Sequence, residues 1–337
     1  MNKGLIAMLV LLGAASVYLY TLDNTTSEVY SFEQFKKEFG KHYSREGEEE
    51  YRKNIFLRNV IAINEHNANP KNTYTMGVNQ FTDLTQAEFA AIYLTLQLPK
   101  RSYKEIDTTD VPNGDVDWQA AGMVSAIKNQ GQCGSCWAFS ATAAMESAYL
   151  MKDKVVNLSE QQLVDCSRSY GNQGCNGGWM DSAFDYARDK GLTTTDAYPY
   201  VARDQACKID SGANKVTDYV DVSGCTDLAN ALSARPVSVA VDASNWSPYR
   251  SGVLSNCNKN VNHGVLLIGG TDAFWRIKNS WGANWGEAGY IRIARGDTCA
   301  ICQYPSYPNV AWSHHSKTYP SFPLSYHPFP DTFPVLV

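Results

Sequence analysis

No block of lysine or arginine interrupts this chain of 337 residues; its 29 basic and 34 acidic side chains are interspersed and leave a net charge of −5. Nothing in it can track a phosphate backbone, so nucleic acid is not an expected partner. Charged residues make up 19% and hydrophobic ones 44%, a balance that fits neither a collagen-like nor a broadly disordered chain. Long apolar runs are also missing, except at the start. Leu5 to Ala15 follows a single cation, Lys3, and residues 1–16 read as a secretory signal peptide, with small residues at Ala14, Ala15 and Ser16 for cleavage. The run continues imperfectly through Val17 to Tyr20, so an uncleaved anchor is the competing reading. Cysteine is absent from the first 132 residues, and all nine cysteines lie at or after Cys133. The leading part of the chain therefore cannot form a disulfide to the rest, and nothing covalent would retain it after cleavage. Histidine is almost absent from the middle: between Val111 and Val310 only His263 occurs, the other five being His42, His66, His314, His315 and His327.

Nine cysteines on a secretory route point to disulfides, and an odd total leaves at least one thiol unpaired. The chain divides by composition around that cysteine boundary. Residues 31 to about 70 are charged and helical in pattern, opening with a capping box at Ser31-x-x-Gln34 and continuing as a long helix. Within it Glu48, Arg52, Phe56, Asn59, Ile63 and Asn67 fall inside a ~100° arc at about 100° per residue, so they share one face. An ordinary amphipathic helix would show the same spacing. Gly77, Asn79, Phe81 and Asp83 then form a strand-to-turn pattern, and Pro99 to Asp110 reads as an exposed linker open to proteolysis.

From Val111 glycines, tryptophans and all the cysteines accumulate. Cys136 to Met151 is rich in Ala and free of Gly and Pro, which predicts a helix. Ser159-x-x-Gln162 opens a second, and Trp179 to Arg188 gives a third. Val237 to Val241, His263 to Ile268, Phe274 to Lys278 and Tyr290 to Ile293 are short, rich in Val and Ile, and bounded by Gly, Pro or Asn, as strands are. Helices first and strands later argue for an α+β fold in two packed lobes over residues 111–310. The last 27 residues, 311–337, hold five of the thirteen prolines and no core-forming period, which predicts a disordered tail.

The densest chemical signal is Gln130-Gly131-Gln132-Cys133-Gly134-Ser135-Cys136-Trp137. Bare, Cys133-x-x-Cys136 also suits a redox pair, or half of a zinc site completed by Cys299-x-x-Cys302. A redox motif would follow a strand of a βαβ unit, and none precedes Cys133; the zinc site would join pairs more than 160 residues apart. The alternative places Cys136 in the first turn of a helix, where unpaired N–H groups and the helix dipole stabilise a thiolate. Its base within residues 111–310 can only be His263. Asn279, in Lys278-Asn279-Ser280-Trp281-Gly282, can orient the imidazole while Trp281 shields the bond from water. Gln130 has a side-chain amide able to donate to a developing oxyanion together with the Cys136 N–H.

Gln130 to Ser140, His263 in Asn-His-Gly and Asn279 in Lys-Asn-Ser-Trp-Gly resemble the papain family of cysteine peptidases. The six-residue helix pattern and Gly77-Asn79-Phe81-Asp83 resemble the propeptides of its cathepsin L-like members. The resemblance implies a papain-like two-lobed α+β fold, a helical lobe and a β-barrel-like lobe with the active-site cleft between. It also implies an inhibitory propeptide over residues 17–110 that threads its linker through the cleft against the direction of substrate. Maturation is expected near Asp110 to Pro112. The family pairs Cys133 with Cys175, Cys166 with Cys207, and Cys257 with Cys299, leaving Cys136 as nucleophile. Cys225 and Cys302 depart from that pattern, as a fourth bridge (the favoured reading) or as two small buried hydrophobes.

By position in the family, Gly178 offers its backbone to an extended substrate. Trp179, Met180, Ala240, Val261 and Tyr304 line the pocket for the residue two before the scissile bond, and Asn262 and Trp281 also border the substrate. The pocket is uncharged, and Tyr304 makes it shallower, so Leu, Val or Phe is expected there; the plain alternative for Trp179 is core packing. A lone histidine excludes the histidine pair of carboxydipeptidase relatives, and a cysteine-free propeptide excludes a bonded remnant of the aminopeptidase kind, which leaves endopeptidase activity. The expected partners are protein and peptide substrates, the chain's own propeptide and cystatin-like inhibitors, for a monomer of the lysosome, vacuole or extracellular space that needs no cofactor or metal. Asn24, Asn157 and Asn245 are sequons for glycosylation. The competing functions are a catalytically silent homologue that binds other proteins, and a thiol-redox protein.

Overall fold

The structure, a computed structural model, describes residues 30–98 and 114–311. The signal-peptide reading, Asn24, the linker from Pro99, the expected maturation site and all of the tail but Ala311 lie outside the described residues. No helix among the described residues is long and apolar enough to cross a membrane.

The leading segment begins with two helices, α1 (Phe32–Glu38) and α2 (Glu48–Ala68), where one long helix is predicted. The Ser31–Gln34 capping box is present at the start of α1, but Gly40 and Gly47 adopt positive φ and break the run between the helices. Phe32, Phe35, Phe56 and Val60 bury a small core where the two helices cross. A three-residue strand, β1 (Tyr74–Met76), and a helix, α3 (Gln86–Tyr93), complete the segment.

The shared face of α2 clamps these later pieces. Arg52 donates to Glu88 Oε1 at 2.9 Å and to the Asp83 carbonyl at 3.1 Å. Asn59 Nδ2 donates to the carbonyls of Thr82 and Leu84 at 2.7 and 3.0 Å, while Asn67 exchanges two bonds with the Met76 backbone. Glu48 lies 4.0 Å from Arg52, and Phe56 and Ile63 are buried. Asp83, itself buried, accepts from Lys41 at 2.9 Å and from Tyr43 at 2.8 Å. The six-residue spacing thus arises because one face must satisfy the backbone of an irregular segment that cannot satisfy itself.

In the main body, α4 (Cys136–Leu150) is buried on nearly every side, as expected of an Ala-rich helix lacking a polar face. Around it pack α5 (Glu160–Cys166), capped by Ser159 Oγ accepting from Gln162 N at 3.0 Å, and α6 (Met180–Asp189). The second lobe is a sheet whose strands are β2 (Val116–Asp117), β3 (Val216–Asp221), β4 (Val237–Val241), β5 (Tyr249–Leu254), β6 (His263–Gly270), β7 (Phe274–Lys278), β8 (Tyr290–Ala294) and β9 (Ser306–Val310). Their order is β1-β5-β8-β7-β6-β4-β9-β3, with β2 pairing β6. A seventh helix, α7 (Gly224–Ala234), covers β4 and β6. The succession of helices and then strands is therefore not strict.

Strand β1 of the leading segment adds to the edge of this sheet, antiparallel to β5 with Tyr74 opposite Gly252. Cys133–Cys175, Cys166–Cys207, Cys225–Cys302 and Cys257–Cys299 are disulfides, and Cys136 is the free cysteine. Both Cys-x-x-Cys runs are thereby split among different partners, which removes the redox pair and the four-cysteine zinc site.

Candidate active site

Cys136 is the first residue of α4 and fully buried, close to Gly264, the residue after His263, where an added Cβ would fall 3.5 Å from the Cys136 carbonyl. The antiparallel register that sets Leu266 opposite Lys278 lays the start of β6 beside the end of β7. His263 Nε2 and Asn279 Oδ1 meet there at 2.8 Å, and the same oxygen accepts from Ser280 N at 2.8 Å. His263 Nδ1 is buried without a hydrogen-bond partner. The Trp281 indole lies 4.8 Å from the imidazole and closes the His263–Asn279 bond off from water.

Gln130 is fixed from three sides. Its Oε1 accepts from Ser280 Oγ at 2.8 Å, its Nε2 donates to the Cys133 carbonyl at 3.0 Å, and its backbone N–H donates to the Ser280 carbonyl at 2.8 Å. Tyr200 adds a bond from its hydroxyl to the Gln130 carbonyl at 2.7 Å. One N–H of the Gln130 amide remains for another acceptor.

The electrostatics differ from the thiolate expected of a helix N-terminus. Burial pushes the Cys136 thiol up to about 11, although the N–H groups of Gly264, Trp137 and Cys136 itself oppose it. Burial likewise takes His263 down to about 4, although the oxygens of the Asn279 side chain and the Tyr93 backbone favour the charged ring. While the leading segment is seated, both groups are held neutral.

A free cysteine at a helix start, a histidine bonded to an amide oxygen and a fixed glutamine amide are the residue types that an acyl-transfer site uses. The model for papain family cysteine proteases matches residues 112–309, and that for the cathepsin propeptide inhibitor domain matches residues 32–89. The chain belongs to the papain family of cysteine proteases. It is 45% identical over 312 residues to cathepsin L 2 of Paramecium tetraurelia, an alignment covering 89% of this chain and 99% of the relative. Digestive cysteine proteinase 3 of Homarus americanus is 43% identical, with 83% and 94% covered. Among solved structures, digestive procathepsin L 3 of the Tenebrio molitor larval midgut superimposes with a TM-score of 0.73 at 40% identity, over 82% of this chain and 97% of that one. This protein is thus a cathepsin L-like hydrolase made as a zymogen, with residues 32–89 as its inhibitory domain.

The propeptide of this papain-family protease covers the cleft directly. Phe81, Phe89 and Tyr93 pack edge-on against Trp281 at 5.5, 5.1 and 6.3 Å, so Trp281 is wholly buried. Beyond α3 the chain crosses between the lobes. Thr95 Oγ1 donates to the Gly134 carbonyl at 3.0 Å, Leu96 N–H to Asn262 at 3.2 Å and Gln97 N–H to Gly178 at 3.0 Å. Among the described residues, those that cross the cleft are therefore 95–97; the Pro99–Asp110 linker, to which the sequence assigns that role, lies outside the described residues.

Leu96 is buried with Cys136, Trp179, Met180 and Ala240, against partly buried Val261 and Tyr304. Trp179 stands edge-on to Tyr304 at 5.5 Å and 86°, and its indole N–H donates to Asp181 at 2.8 Å. Gly178 has no room for a side chain, since a Cβ would fall 2.7 Å from the Trp137 ring and 2.5 Å from Asn172 Oδ1. Sequence reasoning assigned no role to Thr95, Leu96, Gln97, Ser280 or Tyr200. Ser280 alone carried a signal, its place inside Lys-Asn-Ser-Trp-Gly.

Proposed function

We propose that the mature protein is an endopeptidase in which the Cys136 Sγ attacks the scissile carbonyl. His263 takes the thiol proton through Nδ1 and returns it to the leaving amine, and water then releases the acyl group from sulfur by the reverse route. Asn279 holds the imidazole through Nε2 and stabilises its charged form, while Gln130 and the Cys136 N–H receive the oxyanion. One observation carries this reading: the His263–Asn279 bond at 2.8 Å uses Nε2 and leaves Nδ1 buried without a partner, while Gly264, the next residue of β6, lies against the Cys136 backbone.

The specificity reading rests on Leu96. Leu96 of the propeptide is buried in the same apolar cluster as Trp179, Met180 and Ala240, with Val261 and Tyr304 packed against it and no charged residue among these five, which supports an apolar pocket there. Substrates with Leu, Val or Phe two before the scissile bond are preferred over basic ones. Maturation near Asp110 to Pro112, a monomeric enzyme, sensitivity to cystatin-like inhibitors and glycans on exposed Asn157 and Asn245 belong to the same reading. Four disulfides suit an oxidising compartment of the secretory route.

The test is turnover of peptides that differ only at that position. Purified, acid-processed protein should cleave the Leu and Phe peptides at least tenfold faster than the Arg peptide, and Cys136→Ala should cleave none. Activity retained in Cys136→Ala, or equal rates for Leu and Arg, would refute the assignment.

A further inference from the structure

The disulfide between Cys225 and Cys302 stands outside the three pairings that the family resemblance implies, and it sits where the chain is about to enter the specificity pocket. Cys225 is the second residue of α7, and Cys302 precedes Tyr304 by two positions. Between Asp297 and Gln303 the backbone makes a tight, irregular turn in which Cys299 and Ala300 both adopt left-handed φ, of 55° and 62°. Two successive non-glycine residues stay in that region only where their surroundings over-determine it.

Here a disulfide stands on either side: Cys299 is bonded to Cys257 and Cys302 to Cys225. Asp297 Oδ1 accepts from Cys302 N at 3.1 Å, and the Cys302 carbonyl accepts from Gly224 N at 3.2 Å. Cys225 and Cys302 are both fully buried, so the bridge ties the start of α7 to the turn inside the core. The next side chain to reach a functional surface is Tyr304, whose ring meets Trp179 at 5.5 Å.

We propose that the Cys225–Cys302 bridge is a positioning element for the Tyr304 wall, and thereby sets how deep a side chain the pocket accepts. The proposal rests on the reading that Tyr304 lines the pocket for the residue two before the scissile bond. Without the bridge, residue 302 loses its covalent tie to α7 and the segment keeps the hydrogen bonds from Gly224 N to the Cys302 carbonyl and from Val222 N to the Pro305 carbonyl on either side of Tyr304, so the ring shifts away from Trp179. Larger side chains then gain relative to smaller ones.

The experiment compares kcat/KM for two peptides identical except for Phe or Val at that position, on full-length protein activated by acid. Tyr304→Ala should raise the Phe/Val ratio at least fivefold. Cys225→Ala/Cys302→Ala should raise it at least threefold, and the triple variant should match Tyr304→Ala, since the bridge acts through that ring. Asp297→Ala loosens the same turn while leaving every cysteine in place, so it keeps the test alive if the double variant does not fold; it should move the ratio the same way. A ratio unchanged in the double variant, with only thermal stability lowered, would make the bridge a simple staple and overturn the proposal. No change in Asp297→Ala, where the double variant fails to fold, would do the same. No change in Tyr304→Ala would overturn the pocket reading itself, and the proposal with it.

Discussion

At the scale of single residues, the proposed mechanism divides the site into groups that do chemistry and groups that hold them. Cys136→Ala should abolish turnover and leave a folded zymogen, because the thiol contributes little packing to α4. His263→Ala should lower kcat/KM by about 10³-fold or more, since nothing else within the described residues of the protease domain can shuttle the proton. Asn279→Ala removes one hydrogen bond to a group that becomes charged, a loss of about 10- to 100-fold, because Trp281 still packs on the imidazole. Steady-state kinetics on the three variants check this ranking, and equal losses for His263→Ala and Asn279→Ala would contradict the division of roles. Ser280→Ala is the subtler case: Gln130 would lose its 2.8 Å partner, so kcat should fall with KM nearly unchanged.

At the scale of elements, much of the fold and site is legible in the sequence where local physics decides. Val237–Val241 and Phe274–Lys278 fall where β-branched residues bounded by Pro, Gly or Asn predict them, and α4 starts at Cys136 as its Ala-rich, Gly-free run requires. What escapes are elements made by distant partners. Strand β9 contains Pro308, which argues against a strand, yet it survives because only Ser306 pairs with β4 and the Pro308 nitrogen needs no acceptor there. The three residues of β1 have no pattern of their own and are strand only because β5 offers an edge. The same blindness hid residues 95–97, whose bonds run to Gly134, Asn262 and Gly178, far along the chain.

Leu96→Ala should empty the pocket, weaken the propeptide's hold and speed acid processing by about tenfold, as loss of a buried leucine implies. Processing no faster than wild type would remove Leu96 from the inhibitory contact. Alkylating the denatured protein without reductant should modify one thiol, Cys136; three would mean that Cys225 and Cys302 are unbridged.

At the scale of the whole molecule, two groups are held with fewer protons in the zymogen, one by the propeptide's own fold and one in the covered site. Burial alone would raise Glu88, but bonds from Thr85 and Arg52 outweigh it and hold its carboxyl below the ordinary range. Burial holds His263 down to about 4. For His263 the uncovered state takes up protons as pH falls, so its contribution to docking is present at neutral pH and is lost on acidification through 6.5 to about 4; for Glu88 the same sign holds for the propeptide's own fold, on which docking depends, with the loss below the ordinary carboxylate range. The zymogen should be inert near pH 7 and process itself near pH 4. Glu88→Gln should shift the onset to higher pH, which incubation across that range will show. Processing as fast at pH 7 as at pH 4 would defeat this account.

The most direct test of the central claim is covalent labelling of the acid-processed protein with a peptide electrophile bearing Leu two before its reactive group, followed by mass spectrometry. One label per chain, on Cys136, absent from Cys136→Ala and far slower in His263→Ala, is the predicted result. A label on any other cysteine, or one acquired at Cys136 no faster than by an ordinary exposed thiol, would contradict a thiol activated by His263.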